Sequence, residues 1–220
     1  MKFDILTIFP DIIYSYSGES ILKRAQKAGV VEIQAHNFRE NTEDKHRRVD
    51  DTPYGGGAGM VLQVQPIYSC LEKMGLVKDG KKIKQPKTKI LIMDPAGKKF
   101  DQRMAEKFSK LDRIVFVCGR YEGFDERIYK FVDEKISVGD YVLSGGELPT
   151  LTIIEAVTRL LPGALGNDAS AVEETFGDKE NKKEYPQYTR PENFRGQKVP
   201  QILLSGDHKK IAEWRAQKTK

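Results

Sequence analysis

The chain has 220 residues, 39% hydrophobic and 31% charged, enough apolar material for one sizeable core with at most a small appendage. Thirty-seven Lys/Arg against 32 Asp/Glu leave a formal +5, and two cysteines with three histidines argue against a disulfide framework, a zinc site or any multi-histidine metal centre. The opening Met1-Lys2-Phe3-Asp4-Ile5-Leu6, closed by Pro10, does not read as a signal peptide, and no later run has transmembrane length, so a cytoplasmic protein with no membrane partner is expected.

In chain order, residues 3–9 predict a strand, 11–28 a helix ended by Gly29, and 30–35 a second strand. A short helix over 67–76 follows Pro66. The lysine-rich stretch 78–89 reads as a solvated loop, with a basic contact surface as the alternative. A strand over 89–93, a helix over 101–111 and a strand over 113–118 come next. The last of these runs Ile-Val-Phe-Val-Cys without a polar interruption, which suits a parallel sheet covered on both faces. Ser144-Gly145-Gly146-Glu147 matches a capping box opening a helix to about residue 161, with Leu148, Leu151, Ile154, Val157, Leu160 and Leu161 as its buried stripe. Glu155 and Arg159 lie on another face of that helix, four residues apart. Residues 163–188 turn polar and read as a linker, and 201–214 as a small helical end piece with the lone Trp214. The alternation of strands and helices predicts an α/β fold.

Charge is unevenly spread. Residues 181–220 hold ten Lys/Arg and four Asp/Glu, while the other 180 hold 27 and 28, so a basic tail follows a nearly neutral body.

Three segments carry residues suited to chemistry. Asp50-Asp51-Thr52-Pro53-Tyr54-Gly55-Gly56-Gly57-Ala58-Gly59-Met60 is dense enough in glycine to approach a ligand closely or fold over one, though a flexible turn would look the same. It lacks the Gly-Lys-Ser/Thr of a phosphate loop and follows no strand, so it is no dinucleotide fingerprint. Cys118-Gly119-Arg120-Tyr121-Glu122-Gly123-Phe124-Asp125-Glu126-Arg127 leaves the carboxyl end of the most apolar strand, where open α/β sheets place ligands. A turn with surface ion pairs is the alternative there. In residues 137–147 a strand, a glycine loop and a helix N-terminus follow in order with no Lys or Arg, which fits an uncharged adenosine better than a triphosphate.

Together and in this order, these segments resemble the bacterial tRNA (guanine-N1)-methyltransferases, the family that modifies guanosine 37 beside the anticodon. The resemblance runs from Phe3-Asp4-Ile5 to Trp214-Arg215 and includes Tyr188-Thr189-Arg190-Pro191-Glu192. It implies a SPOUT-type α/β fold, a parallel sheet flanked by helices with a deep trefoil knot, working as a homodimer on tRNA, with a small mostly helical C-terminal domain. By that resemblance residues 1–162 form the methyltransferase domain, 163–188 a flexible linker, and 189–220 a basic tRNA-binding domain. That last domain reads as truncated, since relatives continue past the Trp-Arg step with another basic segment. S-adenosylmethionine is implied at Asp94, Pro95, Gly119, Tyr121, Glu122, Val138, Gly139, Asp140, Tyr141, Val142, Leu143, Gly145 and Gly146. Asp94 stands where the family often has a small polar residue, and either meets the adenosine hydroxyls or caps the following turn. Substrate positions are implied at Asp50, Tyr54, Gly55, Gly56, Gly57 and Arg190. Arg159 and Glu174 match the family's catalytic cation and base, with a glutamate here for the usual aspartate and Glu173 as the fallback. An ordinary ion pair of Arg159 with Glu155 is the alternative for the former. Magnesium is carried from the family alone.

Tyr185, Tyr188 and Phe194 offer stacking surfaces for a splayed base beside phosphate-binding lysines and arginines. Two competing readings are a nicotinamide-dependent oxidoreductase, disfavoured by the missing Gly-x-Gly-x-x-Gly, and a noncatalytic RNA-binding protein that retains the cofactor fold.

Overall fold

Five apolar runs pair into one parallel sheet: β1 (Lys2–Thr7), β2 (Glu32–Asn37), β3 (Thr88–Lys99), β4 (Arg113–Val117) and β5 (Glu134–Ser137), in the order β2-β1-β4-β3-β5. This is a computed structural model, and it describes residues 1–165 and 185–219. The chain divides into two compact units, Met1–Gly166 and Asn167–Lys220.

In the first unit, side chains of β4 alternate between two cores, which is why its sequence shows no polar interruption. Ile114 and Phe116 pack with Phe3, Ile5 and Leu91 against the helices α1 (Pro10–Ser17), α2 (Ser20–Lys27), α4 (Gln102–Phe108) and α5 (Glu147–Thr158). Val115 and Val117 pack with Leu6, Ile90 and Ile92 against α3 (Val64–Lys73), through Ile67 and Leu71, and against Phe38, Val49 and Leu62. Apolar burial on both faces is what a parallel sheet requires.

Four expectations about elements of the first unit change. The helix expected over 11–28 is two helices, because Ser20 takes a left-handed φ of +50° and the Gly18 amide closes α1 on the Tyr14 carbonyl at 2.9 Å. Strand β3 does not stop at Met93. It bulges and resumes at Lys98, which pairs with Ile136. The lysine-rich stretch forms a short antiparallel ladder of Val77–Lys78 with Lys81–Lys82, and Lys82 and Lys89 pair with Asp133 and Glu134. In α5, Leu148 is exposed and Ile153 is buried, so the stripe is Leu151, Ile153, Ile154 and Val157, with Leu160 and Leu161 partly buried.

Asp4 is a fully buried carboxylate in the middle of the sheet, held from both neighbouring strands. The His36 Nε2 of β2 lies 2.6 Å from one oxygen, and the Arg113 Nε of β4 donates to the other at 2.7 Å. Burial works against its charge, but the hydrogen bonds from His36 and Arg113 outweigh it and hold the carboxyl below the ordinary 3.8. A carboxyl lowered on folding stabilises the fold fully above its unfolded value and ceases to as pH falls through its folded value. Asp4→Asn is therefore expected to cost about 3 kcal/mol at neutral pH, because it leaves Arg113 facing no charge there. Denaturant titrations should show the gap between parent and variant narrowing below pH 3.8. A gap that stays constant into acid would contradict the ion pair.

The second unit has a two-residue hairpin, Asn193–Phe194 with Gln197–Lys198, turned by Arg195 and Gly196 at positive φ. The end piece expected as one helix is two, α6 (Gln201–Leu204) and α7 (His208–Lys218), the latter capped by Asp207 on the Lys210 amide. The Tyr188 ring packs 6.4 Å from Trp214, and the Arg215 guanidinium lies 4.7 Å from the Tyr185 ring, so both tyrosines have partners within the unit; Phe194 is exposed.

Candidate functional site

A cavity of about 480 Å³ opens at the bulge of β3 and the carboxyl ends of β4 and β5, the side on which parallel sheets place their ligands. The bulge after Met93 supplies one wall, with Asp94 and Pro95. The loop leaving β4 supplies Gly119, Arg120, Tyr121, Glu122 and Gly123. The loop leaving β5 supplies Val138, Tyr141, Val142 and Leu143, and the entry to α5 supplies Gly145 and Gly146.

Every cofactor position expected from the sequence lines this cavity except Gly139 and Asp140. Gly139 sits beneath the Tyr141 ring: a Cβ there would come 2.4 Å from the ring, so the glycine lets the aromatic fold back. Asp140 pairs with Lys99, and neither lines the cavity. Tyr121 holds a left-handed φ of +59°, a conformation costly for a bulky residue and characteristic of ligand loops.

Asp94 resolves its two sequence readings in part. One oxygen caps the turn by accepting from the Ala96 amide at 2.8 Å, and the other accepts the Tyr129 hydroxyl at 2.7 Å. The carboxylate has lone pairs beyond these two bonds, so a ligand hydroxyl remains a compatible partner. Burial, then the bond to Asp94, pushes the Tyr129 phenol well above its usual range, so it stays a neutral donor. Lys135 lies 3.4 Å from the Tyr129 ring centroid, completing a floor that the sequence did not announce. Below it Cys118 is wholly buried against Thr150, and burial keeps its thiol protonated.

The glycine-rich segment reaches this site through its far end. Glu122 and Asp125 donate their amides to the Met60 and Leu62 carbonyls at 3.0 and 2.9 Å, and Leu62 donates to the Gly123 carbonyl at 2.9 Å. A Cβ on Gly59 would meet the Glu122 side chain at 2.4 Å, so the loop leans on the cavity wall there. Asp50 starts the loop in a two-residue ladder with Leu62; Tyr54 is fully exposed, and Gly55, Gly56 and Gly57 take positive φ at the tip.

The capping box expected at residues 144–147 does not form. Gly146 is the N-cap of α5, and the Glu147 side chain is buried, taking the Thr7 hydroxyl at 2.6 Å and lying 2.9 Å from the Arg120 guanidinium. Arg159 caps the other end of α5, half-buried, while Glu155 accepts the Tyr16 hydroxyl. Arg190 is an exposed residue of the second unit. Glu174 and Glu173 lie outside the described residues, as does most of the segment expected as a linker over 163–188. Among the described residues no group of three or more His, Cys, Asp or Glu is placed to hold a metal ion, and no helix is long and apolar enough to cross a membrane.

A protein named tRNA (guanine-N(1)-)-methyltransferase from Listeria welshimeri is 51% identical over 218 residues, covering 98% of this chain and 85% of the relative. Proteins of the same name from Citrifermentans bemidjiense and Lactobacillus johnsonii are 50% and 52% identical, covering 98% of this chain and 83% and 84% of the relatives. The family model described as tRNA (Guanine-1)-methyltransferase TrmD matches residues 1–220, and the chain belongs to that family.

Proposed function

We propose that this protein transfers a methyl group from S-adenosylmethionine to N1 of guanosine 37 in tRNA. The observation that carries the reading is the cavity at the bulge of β3 and the ends of β4 and β5, in a chain of this family, gathering nearly all the cofactor positions expected from sequence. Its size suits a ligand of nucleoside scale. Its lining suits one with both an aromatic base and charged ends: Tyr121, Val138, Tyr141, Val142 and Leu143 are aromatic or apolar, Asp94 and Glu122 anionic, Arg120 and Lys135 cationic.

When bound, S-adenosylmethionine supplies an electrophilic methyl on a sulfonium sulfur. The chain's residues must then make N1 of guanine nucleophilic, because that nitrogen carries a proton. Glu174 takes the N1 proton as general base. Arg159 places its guanidinium at O6, where negative charge collects as the proton leaves. Asp94, Tyr121, Glu122, Tyr141 and Leu143 would hold the cofactor, whose sulfonium would give up its methyl to the deprotonated N1 and be left as a neutral thioether. Asp50, Tyr54 and Gly55–Gly57 face the tRNA, while Arg190 and the basic tail bind phosphate.

Three further features belong to this reading. The chain is knotted in the SPOUT manner by its family resemblance, and the Gly146 amide reaching the Gly119 carbonyl at 2.9 Å brings the loop after β5 against the loop leaving β4. The protein works as a cytoplasmic homodimer. Residues 1–162 hold the cofactor, the linker over 163–188 brings the base Glu174, and 189–220 grip tRNA.

The decisive assay is transfer of labelled methyl from S-adenosylmethionine to two tRNA transcripts that differ only in G or A at position 37, with magnesium added. Label should enter the G transcript alone. A G transcript left unlabelled would overturn the proposal.

A further inference from the structure

Four segments converge on the Glu147 carboxylate. Oε1 accepts from the Thr7 hydroxyl of β1 at 2.6 Å, and Oε2 lies 2.9 Å from Nη2 of Arg120 in an ion pair that is not aligned as a hydrogen bond. The other terminal nitrogen of Arg120, Nη1, donates to the Ser144 carbonyl at 3.3 Å, and its guanidinium stacks 4.6 Å from the Phe9 ring centroid. The backbone closes over the pair at Gly145, where a Cβ would lie 2.4 Å from Arg120 Nε and 2.5 Å from Glu147 Oε2. Glu147 is 1% exposed, and Arg120 Nε is buried without a partner.

A buried ion pair is a poor device for stability, since desolvation takes back most of the attraction. It does fix geometry, because a displaced partner would leave a buried charge uncompensated. Arg120 stands between Gly119 and Tyr121, two walls of the cavity, and Tyr121 is the residue held at φ +59°. Whatever anchors the Arg120 side chain thereby anchors the backbone on either side of it. Glu147 also occupies the first turn of α5, where a carboxylate is favoured, so the anchor itself is well seated.

We infer that Glu147 is a positioning residue for the cofactor loop, acting through Arg120 to preset the wall over 119–122 before S-adenosylmethionine enters. The inference rests on the cofactor reading proposed above. Its signature is a split between cofactor affinity and turnover. Glu147→Gln keeps the shape and the Thr7 bond but removes the charge facing Arg120. Its dissociation constant and KM for S-adenosylmethionine should rise about tenfold, while single-turnover transfer at saturating cofactor stays within about threefold of the parent. Affinity for tRNA should not change. Thr7→Val, which removes only the hydroxyl, should weaken cofactor binding about threefold, and Thr7→Ser should restore it.

Calorimetric titration of each variant with S-adenosylmethionine separates the outcomes. A Glu147→Gln protein that melts earlier yet binds cofactor like the parent would overturn the inference and leave Glu147 merely structural. If Glu147→Gln does not fold, the contrast between Thr7→Val and Thr7→Ser decides by the same measurement, and equal affinities there overturn it. A folded parent that binds no S-adenosylmethionine would instead sink the cofactor reading itself.

Discussion

Replacing Arg159 with alanine is expected to lower single-turnover methyl transfer by about 10² to 10³-fold, the usual effect of removing one donor from a developing oxyanion. The role rests on the family resemblance and not on place: Arg159 ends α5, about 18 Å along the helix from the end that enters the cavity at Gly146, and is not among the residues that line it. Its backbone is an ordinary helix terminus, with its amide on the Glu155 carbonyl at 3.1 Å, so truncating the side chain should leave the fold in place. Thermal unfolding within a few degrees of the parent and tRNA affinity within about threefold would establish that chemistry alone is lost. Arg159→Lys should fall between the two, since an ammonium keeps the charge but not the planar fork. A variant that keeps more than about a tenth of the parent rate would remove Arg159 from the chemistry. The companion test is at Glu174, where Gln should abolish proton removal and Asp, the commoner family residue, should preserve it.

What the sequence made legible depended on the range of the interactions. Strand β4 was readable because burial on both faces leaves no polar position in Ile-Val-Phe-Val-Cys, a purely local signal. The three candidate segments were readable because glycines, two of the three times after a strand, mark close approach, and the segments do meet around one cavity or, at residues 59–62, on its wall. Glu147 was misread for the opposite reason. Locally it completes a capping-box pattern, whereas its real partner Thr7 lies 140 positions away. Asp4 was overlooked on the same grounds, since its partners His36 and Arg113 come from two other strands. The continuation of β3 was hidden by Pro95 and Gly97, which read as a strand end but shape a bulge. The charge imbalance gave the tail its expected role, yet the tyrosines expected to stack on a base, Tyr185 and Tyr188, already pack on Arg215 and Trp214.

Gly146→Ala should cost the protein both stability and cofactor affinity. Gly146 has an unstrained φ of −82°, so backbone preference does not demand a glycine here. Space does: a Cβ would lie 2.7 Å from the Cys118 Cα and 2.8 Å from the Gly119 nitrogen, both backbone atoms that cannot rotate aside. The cost of forcing them apart is about 2–3 kcal/mol, read as a lower denaturant midpoint. Because the displaced atoms belong to the loop leaving β4, cofactor affinity should fall with stability, by at least about tenfold. Gly55→Ala is the informative contrast. Nothing lies within 4 Å of its Cβ, but its φ of +88° makes any side chain strained, so the cost is about 1 kcal/mol and stays within the exposed loop. Gly55→Ala should therefore leave S-adenosylmethionine binding unchanged while Gly146→Ala weakens it. Equal cofactor affinities in the two variants would mean that the loop leaving β4 and the start of α5 are not locked together as the geometry requires. In that case the glycines at 145 and 146 would have to be explained by the ligand rather than by the close packing of the two loops.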